Sequence, residues 1–102
     1  MNDTNRFLGK HLLVGLTYQD HQGDIKSKQQ IHGIITRINE SEGIVIEQLN
    51  GEGEFTLPPD LDSLSEASPG EYHLRSTGEV VVDPDFLAQW TITAPDPNQV
   101  IN

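Results

Sequence analysis

Apolar and polar residues alternate most regularly between residues 31 and 57, which read IHGIITRINESEGIVIEQLNGEGEFTL. A period of two is typical of strands that bury one face. Within this segment, Asn50-Gly51 predicts a two-residue hairpin turn, because a type I′ turn needs a positive φ at both central positions. A turn here sets the register of three cross-strand pairs, which are Leu49 with Glu52, Glu47 with Glu54, and Ile46 with Phe55.

A polar connection over residues 39–43 precedes this hairpin, so the segment predicts a three-stranded antiparallel meander with two faces. The face that we expect to line the core consists of Ile34, Thr36, Ile38, Ile44, Ile46, Phe55 and Leu57. The opposite, mixed face consists of Ile35, Arg37, Val45, Glu47, Leu49, Glu52, Glu54 and Thr56. Ile31 is out of step with Ile34, so we expect a bulge or bend near His32-Gly33, where the long strand would curl.

The remaining elements are short. The strand pattern predicts a first strand over residues 11–18, a second that begins as early as Lys26, a hairpin of residues 72–77 and 79–83, and a last strand over 90–93. Ser63 and Glu66 match a capping box and predict a short helix at that point. Asp83-Pro84 has the order of a helix start and predicts one turn through Gln89.

Five or six short strands with one or two single-turn helices predict an all-β, mainly antiparallel fold. We expect a small, strongly bent barrel of SH3-like or Sm-like type. Residues 1–10 would form an N-terminal arm with one helical turn, residues 11–94 a single barrel domain, and residues 95–102 a flexible tail.

The segment from residue 5 to residue 57 resembles the SH3-like and Sm-like small barrels in its topology. The resemblance depends on the alternating strand GKHLLVGLTY, the long strand with IHGIITRI and the hairpin IVIEQLNGEGEFTL. The turn-rich remainder leads us to expect a small bacterial protein family. Sm-like proteins bind RNA through an Asp/Asn-bearing loop and a later Arg-Gly pair, but this loop reads NESE and no Arg-Gly pair occurs. The resemblance implies a fold without its function.

The charge distribution changes the expected partners. The chain has 102 residues, 6 Lys and Arg, 16 Asp and Glu, and a net charge of −10. Thirteen of the acids and only one base follow residue 37. Such a chain repels nucleic-acid phosphates and anionic membranes but attracts a basic protein. Cysteine is absent, so disulfides and thiolate metal sites are excluded. Without an apolar span or a signal-peptide pattern, we expect a cytoplasmic protein.

The residues that carry chemistry in other proteins form no recognisable site in this sequence. The four histidines, at positions 11, 21, 32 and 73, lack helical ligand spacing, and none is expected to lie opposite another. Residues 60–66 lack the glycine and the spaced oxygen ligands of a calcium loop. Helix capping and the helix dipole account for Asp83 and Asp85. We therefore predict no catalytic residues, no metal ligands and no cofactor.

Three hypotheses for the function remain. The first is a non-enzymatic acidic module, with an inhibitor or immunity-type protein as a sharper version, that binds a basic protein partner. Its contact residues would be Ile35, Arg37, Val45, Glu47, Leu49, Glu52 and Glu54 on the mixed face. The second is a small-molecule- or metal-responsive, enzyme-like domain with a pocket between the short helix and Trp90. The third is an Sm-like homo-oligomer that assembles through a free strand edge such as Gln29 to His32.

Overall fold

Eight strands and two 3₁₀ helices account for the regular structure of residues 4–49, 51–75 and 77–94, the part of the chain that the computed structural model describes. The 3₁₀ helices are Thr4–Arg6 and Leu61–Ser63. The strands are β1 (His11–Gln19), β2 (Ile25–Asn39), β3 (Gly43–Gln48), β4 (Glu54–Leu57), β5 (Ser65–Glu66), β6 (Glu71–His73), β7 (Val80–Val82) and β8 (Phe86–Thr93). The expected all-β class is confirmed.

The strands form two sheets. A six-stranded sheet has the order β4-β3-β2-β1-β8-β5, and β6 pairs with β7 in a two-stranded sheet. The strands β1 to β4 form an antiparallel meander, whereas β8 lies parallel to β1. In the described residues no pairing joins β4 to β5, so the sheet stays open and the expectation of a closed barrel is wrong. The reason is that the last long strand, β8, adds beside β1, and only its first two residues pair on the other side, with the two-residue strand β5.

The main core lies on one face of the large sheet. Strand β1 contributes Leu12, Val14 and Leu16, and Tyr18 packs at their margin, so the alternation predicted for this strand is confirmed. Phe7 also belongs to this core, although its segment was expected to be an arm. Its ring lies 4.8 Å from that of Phe86, measured between centroids. The residues before β1 therefore help to close one side of the core.

The hairpin register predicted from Asn50-Gly51 is confirmed in the strands. Ile46 pairs with Phe55 and Glu47 with Glu54, and the amide of Gln48 donates to the carbonyl of Gly53 at 2.9 Å. The predicted pair of Leu49 with Glu52 lies beyond the ends of β3 and β4, and the Leu49 amide donates to the His32 carbonyl of β2 at 3.1 Å. Asn50 itself lies outside the described residues.

The face assignment along β2 is wrong over its central residues. The register between β2 and β3 shifts between Ile35 and Arg37, so that Thr36 is an extra, exposed residue. Ile35 faces Ile46 in the core, whereas Ile34 pairs with Glu47 on the opposite face. One inserted residue moves the following side chains to the other face, and this is why Ile38 returns to the core margin.

The bend expected near Gly33 takes the form of a close approach between two strands. Gly33 is in register with Ile31 and Ile35, and the bulge lies three residues later, at Thr36. A Cβ atom on Gly33 would lie 2.1 Å from the Glu47 carbonyl oxygen and 2.7 Å from the carbonyl carbon. Glycine is therefore required here because the backbone of β3 occupies the space of a side chain.

Both predicted helix starts, at Ser63 and at Asp83, are wrong. Asp60, and not Ser63, caps the second 3₁₀ helix, because its carboxylate accepts a hydrogen bond from the Asp62 amide at 3.1 Å. Ser63 ends that helix, and Glu66 lies in β5. No helix follows Asp83, whose φ of 50° turns the chain directly into β8. A left-handed backbone conformation at an aspartate stops a helix from starting at that residue.

The second hairpin is confirmed with shorter strands than expected. Tyr72 pairs with Val81. Val81 forms a small buried cluster with Leu13 and Leu74, and Tyr72 packs against this cluster. This cluster covers part of the sheet face opposite the main core. The predicted tail, residues 95–102, lies outside the described residues.

Candidate functional site

The exposed remainder of the mixed face forms an acidic strip, which consists of Glu47, Leu49, Glu52 and Glu54. Glu47 lies directly opposite Glu54 across β3 and β4, and all four residues are exposed. Leu49 has 54% of its surface exposed, although it is an aliphatic residue at the end of a strand. The strip therefore presents an apolar side chain among three carboxylates.

Two residues expected on this surface are buried. Ile35 and Val45 are each 0% exposed. Ile35 faces the core because of the bulge at Thr36. Neither side chain can contact a partner while the domain is folded, so their inclusion in the exposed surface is wrong. A binding role for the remaining residues of that set stays a prediction.

Arg37 bridges the strands above Val45. Its guanidinium donates two hydrogen bonds to Glu54, at 3.0 and 3.2 Å, and two to Glu42, at 2.8 and 3.2 Å. Arg37 lies on β2 and Glu54 on β4, so its side chain must cross β3, where Arg37 pairs with Val45. The crossing explains why Val45 is covered, because arginine stems shield apolar surface.

The same guanidinium offsets the repulsion between Glu47 and Glu54. The hydrogen bonds that Arg37 donates to Glu42 and Glu54 raise the pKa of Arg37, and the guanidinium in turn lowers the pKa of Glu42. Like charges directly opposite each other in a sheet are unfavourable, and a bidentate arginine beside them is the favoured compensation. The glutamate pair is thus stabilised within the chain, without any need for a partner.

A chain of ring nitrogens and carboxylates lies beside the acidic strip. His11 Nε2 and His32 Nδ1 are 2.9 Å apart, and His32 Nε2 is 3.0 Å from the carboxylate of Glu79. With His32 donating from Nε2 to the carboxylate, its Nδ1 accepts the N–H of His11. The backbone amide of His11 donates to the carboxylate of Asp85 at 2.9 Å. We call His11, His32 and Glu79 the histidine chain.

The electrostatics of the histidine chain favour uncharged imidazole at its outer end. Burial, followed by the neighbouring His32, lowers the pKa of His11, while Asp85 opposes the shift. The hydrogen bond from His32 lowers the pKa of Glu79. In the described residues no hydroxyl group hydrogen-bonds to the ring of His11 or His32, so the histidine chain lacks the nucleophile of a hydrolytic triad. Its evident role is to fasten the loop before β7 to β2.

The contact between two histidines is the feature that the sequence analysis missed. The pairs His11 with Ile34, Ile34 with Glu47, and Glu47 with Glu54 form one row across four strands, so the histidine chain and the acidic strip share a face. Had the register between β1 and β2 been known, His11 would have been expected diagonally opposite His32. The polar connection between those strands has no two-residue turn signal, and the sequence therefore sets no unique register there.

Two clefts open on other parts of the surface. The first, of about 520 Å³, is lined by Gly15, Leu16, Thr17, Lys28, Gln29, Gln30, Arg75, Gln89, Trp90 and Thr91. The second, of about 490 Å³, is lined by Lys10, Glu66, Ala67, Pro69, Asp83, Pro84, Asp85 and Phe86. Neither cleft is the expected pocket between the short helix and Trp90, because residues 61–63 of the second 3₁₀ helix line neither of them.

Within residues 4–49, 51–75 and 77–94, no three His, Cys, Asp or Glu side chains are grouped so that they could hold a metal ion. No helix in the same part of the chain has the length and apolar character needed to cross a membrane. The acidic strip, the histidine chain and the two clefts are therefore the features from which a function can be argued.

Comparison with known proteins adds no relatives to this description. A scan against protein-family models, a search of curated proteins and a search of solved structures each found no match. The residues of this chain and their geometry are therefore the basis for a proposed function.

Proposed function

We propose that the protein is a non-enzymatic interaction module that binds a positively charged protein partner through the acidic strip. The observation that supports this most strongly is Leu49, which is 54% exposed and lies among glutamates at the end of the β3–β4 hairpin. Leu49 lies between Glu47 and Glu52 along the chain, and an exposed aliphatic side chain beside carboxylates suits a partner that offers an apolar contact and a basic rim.

The charge of the whole chain supports the same proposal. A net charge of −10 on 102 residues attracts basic proteins over distances up to about a Debye length, roughly 8–10 Å at moderate salt. Such attraction raises the association rate more than it raises affinity. Arg37 neutralises part of the charge of Glu54, so that residue contributes less to the proposed attraction than its formal charge indicates. An inhibitor or immunity-type role, in which the strip covers a basic effector, is the sharper form of this proposal.

A pull-down with matched variants tests the proposal. The strip variant combines Glu47→Gln, Leu49→Ser and Glu52→Gln. The control variant removes two exposed acids and one exposed aliphatic residue elsewhere, through Asp24→Asn, Ile25→Ser and Asp62→Asn; Ile25 is 58% exposed, close to the 54% of Leu49. Captured proteins are identified at about 50 mM and about 500 mM salt, a range over which exposed charges become screened. The affinity of each purified candidate is then measured.

The proposal requires a specific pattern of results. A basic protein should bind the wild type and the control variant with similar affinity, bind the strip variant at least about tenfold more weakly, and lose affinity at high salt. Equal loss in both variants would show that net charge alone is responsible, and salt-insensitive binding would exclude charge-led association. Either result overturns the assignment of the strip.

One observation favours the hypothesis of a homo-oligomer related to the small barrels. The meander β1 to β4 has the consecutive order that the resemblance over residues 5–57 implies. The pairing of β3 with β2 begins at Gly33, so β2, which starts at Ile25, extends well beyond the end of its neighbour. Light scattering at several concentrations distinguishes this candidate, because a second copy added at that edge would at least double the mass. A constant monomer mass would remove it.

A further inference from the structure

The first cleft has a regular floor on the face of the sheet opposite the main core. Gly15 pairs with Gln30 on β2 and with Gln89 on β8, and Thr17 pairs with Lys28 and with Thr91 on the same strands. Directly paired residues project from the same face, so these six residues form two rows of three. Gly15 stands in the middle of one row and leaves a recess between two glutamine side chains.

A loop residue closes one side of this floor. The backbone amide of Arg75 donates to the side-chain carbonyl of Gln30 at 2.8 Å, which holds the loop between β6 and β7 against the sheet. Arg75 lines the cleft together with Lys28. The rigid sheet thus supplies one cation, and a tethered loop supplies the other.

The charge of the cleft is opposite to that of the chain. The protein has 16 acidic and 6 basic residues, yet none of the residues that line this cleft is acidic and two are basic. Among the other bases, Arg6, Lys26 and Arg37 form ion pairs with carboxylates, and Lys10 lines the second cleft with Glu66, Asp83 and Asp85. In the described residues Lys28 and Arg75 form no ion pair with a carboxylate. Two uncompensated cations beside hydroxyl and amide donors are the chemistry of an anion site.

We propose that this cleft binds a small organic phosphate ester, with Lys28 and Arg75 contacting the phosphate. A phosphate monoester carries close to two negative charges near pH 7 and has three terminal oxygens, which matches two cations and the Thr17 and Thr91 hydroxyls. A carboxylate would use only part of this donor set. The volume of about 520 Å³ exceeds what a phosphate alone would fill and lies within the range of small-molecule sites, so the cleft also has room for the organic part of the ligand.

Gly15 supplies an independent indication that the recess is available to a ligand. Glycine weakens a strand interior, and its presence there often marks a place where another group approaches the backbone. A Cβ atom on Gly15 would meet only Gln89 Cγ, at 3.7 Å, which is an ordinary contact. Packing therefore does not demand glycine at this position, in contrast to Gly33.

The proposal is tested by nuclear magnetic resonance titration of the full-length, ¹⁵N-labelled chain at constant ionic strength. The probes are glucose 6-phosphate, inorganic phosphate, glucose and gluconate. We expect saturable shifts of the amides in the two rows and at Arg75 with glucose 6-phosphate, weaker binding of inorganic phosphate, and no saturation with glucose or gluconate. The amide spectrum also shows whether each variant remains folded.

Matched variants assign the effect to the cleft. Lys28→Gln with Arg75→Gln should weaken binding of glucose 6-phosphate at least about tenfold, since each charge-assisted bond is strong. Lys10→Gln with Lys26→Gln removes the same total charge elsewhere and should change affinity less than about twofold. Equal losses in the two double variants, binding of gluconate as tight as that of the phosphate ester, or shifts scattered over the surface would each overturn the proposal. Equal affinity for inorganic phosphate would overturn the assignment of an ester.

Discussion

Alanine substitutions at two strand glycines provide the sharpest test of the architecture. Gly33→Ala and Gly15→Ala make the same chemical change within β2 and β1, and neither glycine has a positive φ. The two sites differ in what the new methyl group meets. At Gly33 it would lie 2.1 Å from the Glu47 carbonyl oxygen, and at Gly15 its nearest neighbour is Gln89 Cγ at 3.7 Å.

The magnitude follows from the displacement that each methyl group requires. Non-bonded heavy atoms pack at about 3.5 Å, so at Gly33 strand β3 must move by roughly 1 Å. That movement strains the pairs Gly33 with Gln48 and Ile34 with Glu47. Overpacking costs about 1–3 kcal/mol and each weakened hydrogen bond about 1 kcal/mol, whereas alanine restricts the unfolded chain and returns about 0.4–1 kcal/mol. We expect Gly33→Ala to lose about 3 kcal/mol and Gly15→Ala to be neutral or up to about 1 kcal/mol more stable.

Urea unfolding followed by circular dichroism measures this difference. With a slope of about 1.5 kcal/mol per molar urea, typical for a domain of this size, the two midpoints should differ by about 2 M. A Gly33→Ala variant that is unfolded in buffer, beside a folded Gly15→Ala variant, agrees with the same reasoning. Midpoints within about 0.3 M of each other would show that β3 does not approach Gly33 as closely as described.

Three further predictions concern the core, the arginine bridge and the pH dependence of stability. Phe7→Ala should lower the free energy of unfolding by about 3 kcal/mol because it empties a core site, whereas Leu8→Ala, at a more exposed position, should change it by less than about 1 kcal/mol in the same urea assay. Arg37→Gln should lower the melting temperature more at low salt than at high salt, since its exposed ion pairs are screened by salt whereas the loss of cover over Val45 is not; an equal loss at both salt concentrations would contradict this. Because the pKa of His11 is lowered in the folded protein, the unfolded chain binds more protons than the folded one below the ordinary value of 6.5, and stability should fall as the pH drops through this range. The lowered pKa of Glu79 adds a further loss of stability below pH 4.5. His11→Gln should flatten the decline of the melting temperature between pH 7 and pH 5, and an unchanged decline would refute the role of this residue.

The predicted and observed structures agree where the determining contacts are close in sequence. Strand β1 lies where the sequence pattern predicted a first strand, and Leu12, Val14 and Leu16 share the face that lines the main core. The pairing of Ile46 with Phe55 followed from a turn only a few residues away. Gly43, at the end of the polar connection predicted over residues 39–43, has a φ of 94°. In each case a short segment contains both the signal and the structure that it specifies.

The errors arise where distant segments determine the local structure. Thr36 has no sequence signal that separates a bulge there from one at Gly33, and the choice decides whether Ile34 or Ile35 is buried. Asp83-Pro84 predicts a helix by its local pattern, but the chain enters β8, because β1 provides a long parallel partner for that strand. Tertiary pairing outweighs a weak local preference when it adds a row of backbone hydrogen bonds.

The candidate sites depended still more on the tertiary structure. The acidic strip was partly foreseen, since Glu47 and Glu54 follow from the hairpin register, but the burial of Val45 required the reach of Arg37 across β3. The histidine chain and the first cleft were not foreseen. Each combines side chains from the first half of the chain with a residue of the β6–β7 loop, Glu79 in one and Arg75 in the other.

The sequence by itself determined the all-β class, the strands of the meander, the register of its hairpin and the acidic character of the chain. Alternation, turn residues and charge are properties of neighbouring residues, and they need no knowledge of the fold. Only the tertiary structure decided the open sheet, the parallel pairing of β1 with β8, the face on which Ile35 lies, and the contact of His11 with His32. The physical reason is that these features depend on which distant strands pair, and many pairings satisfy the same alternating pattern until packing selects one of them.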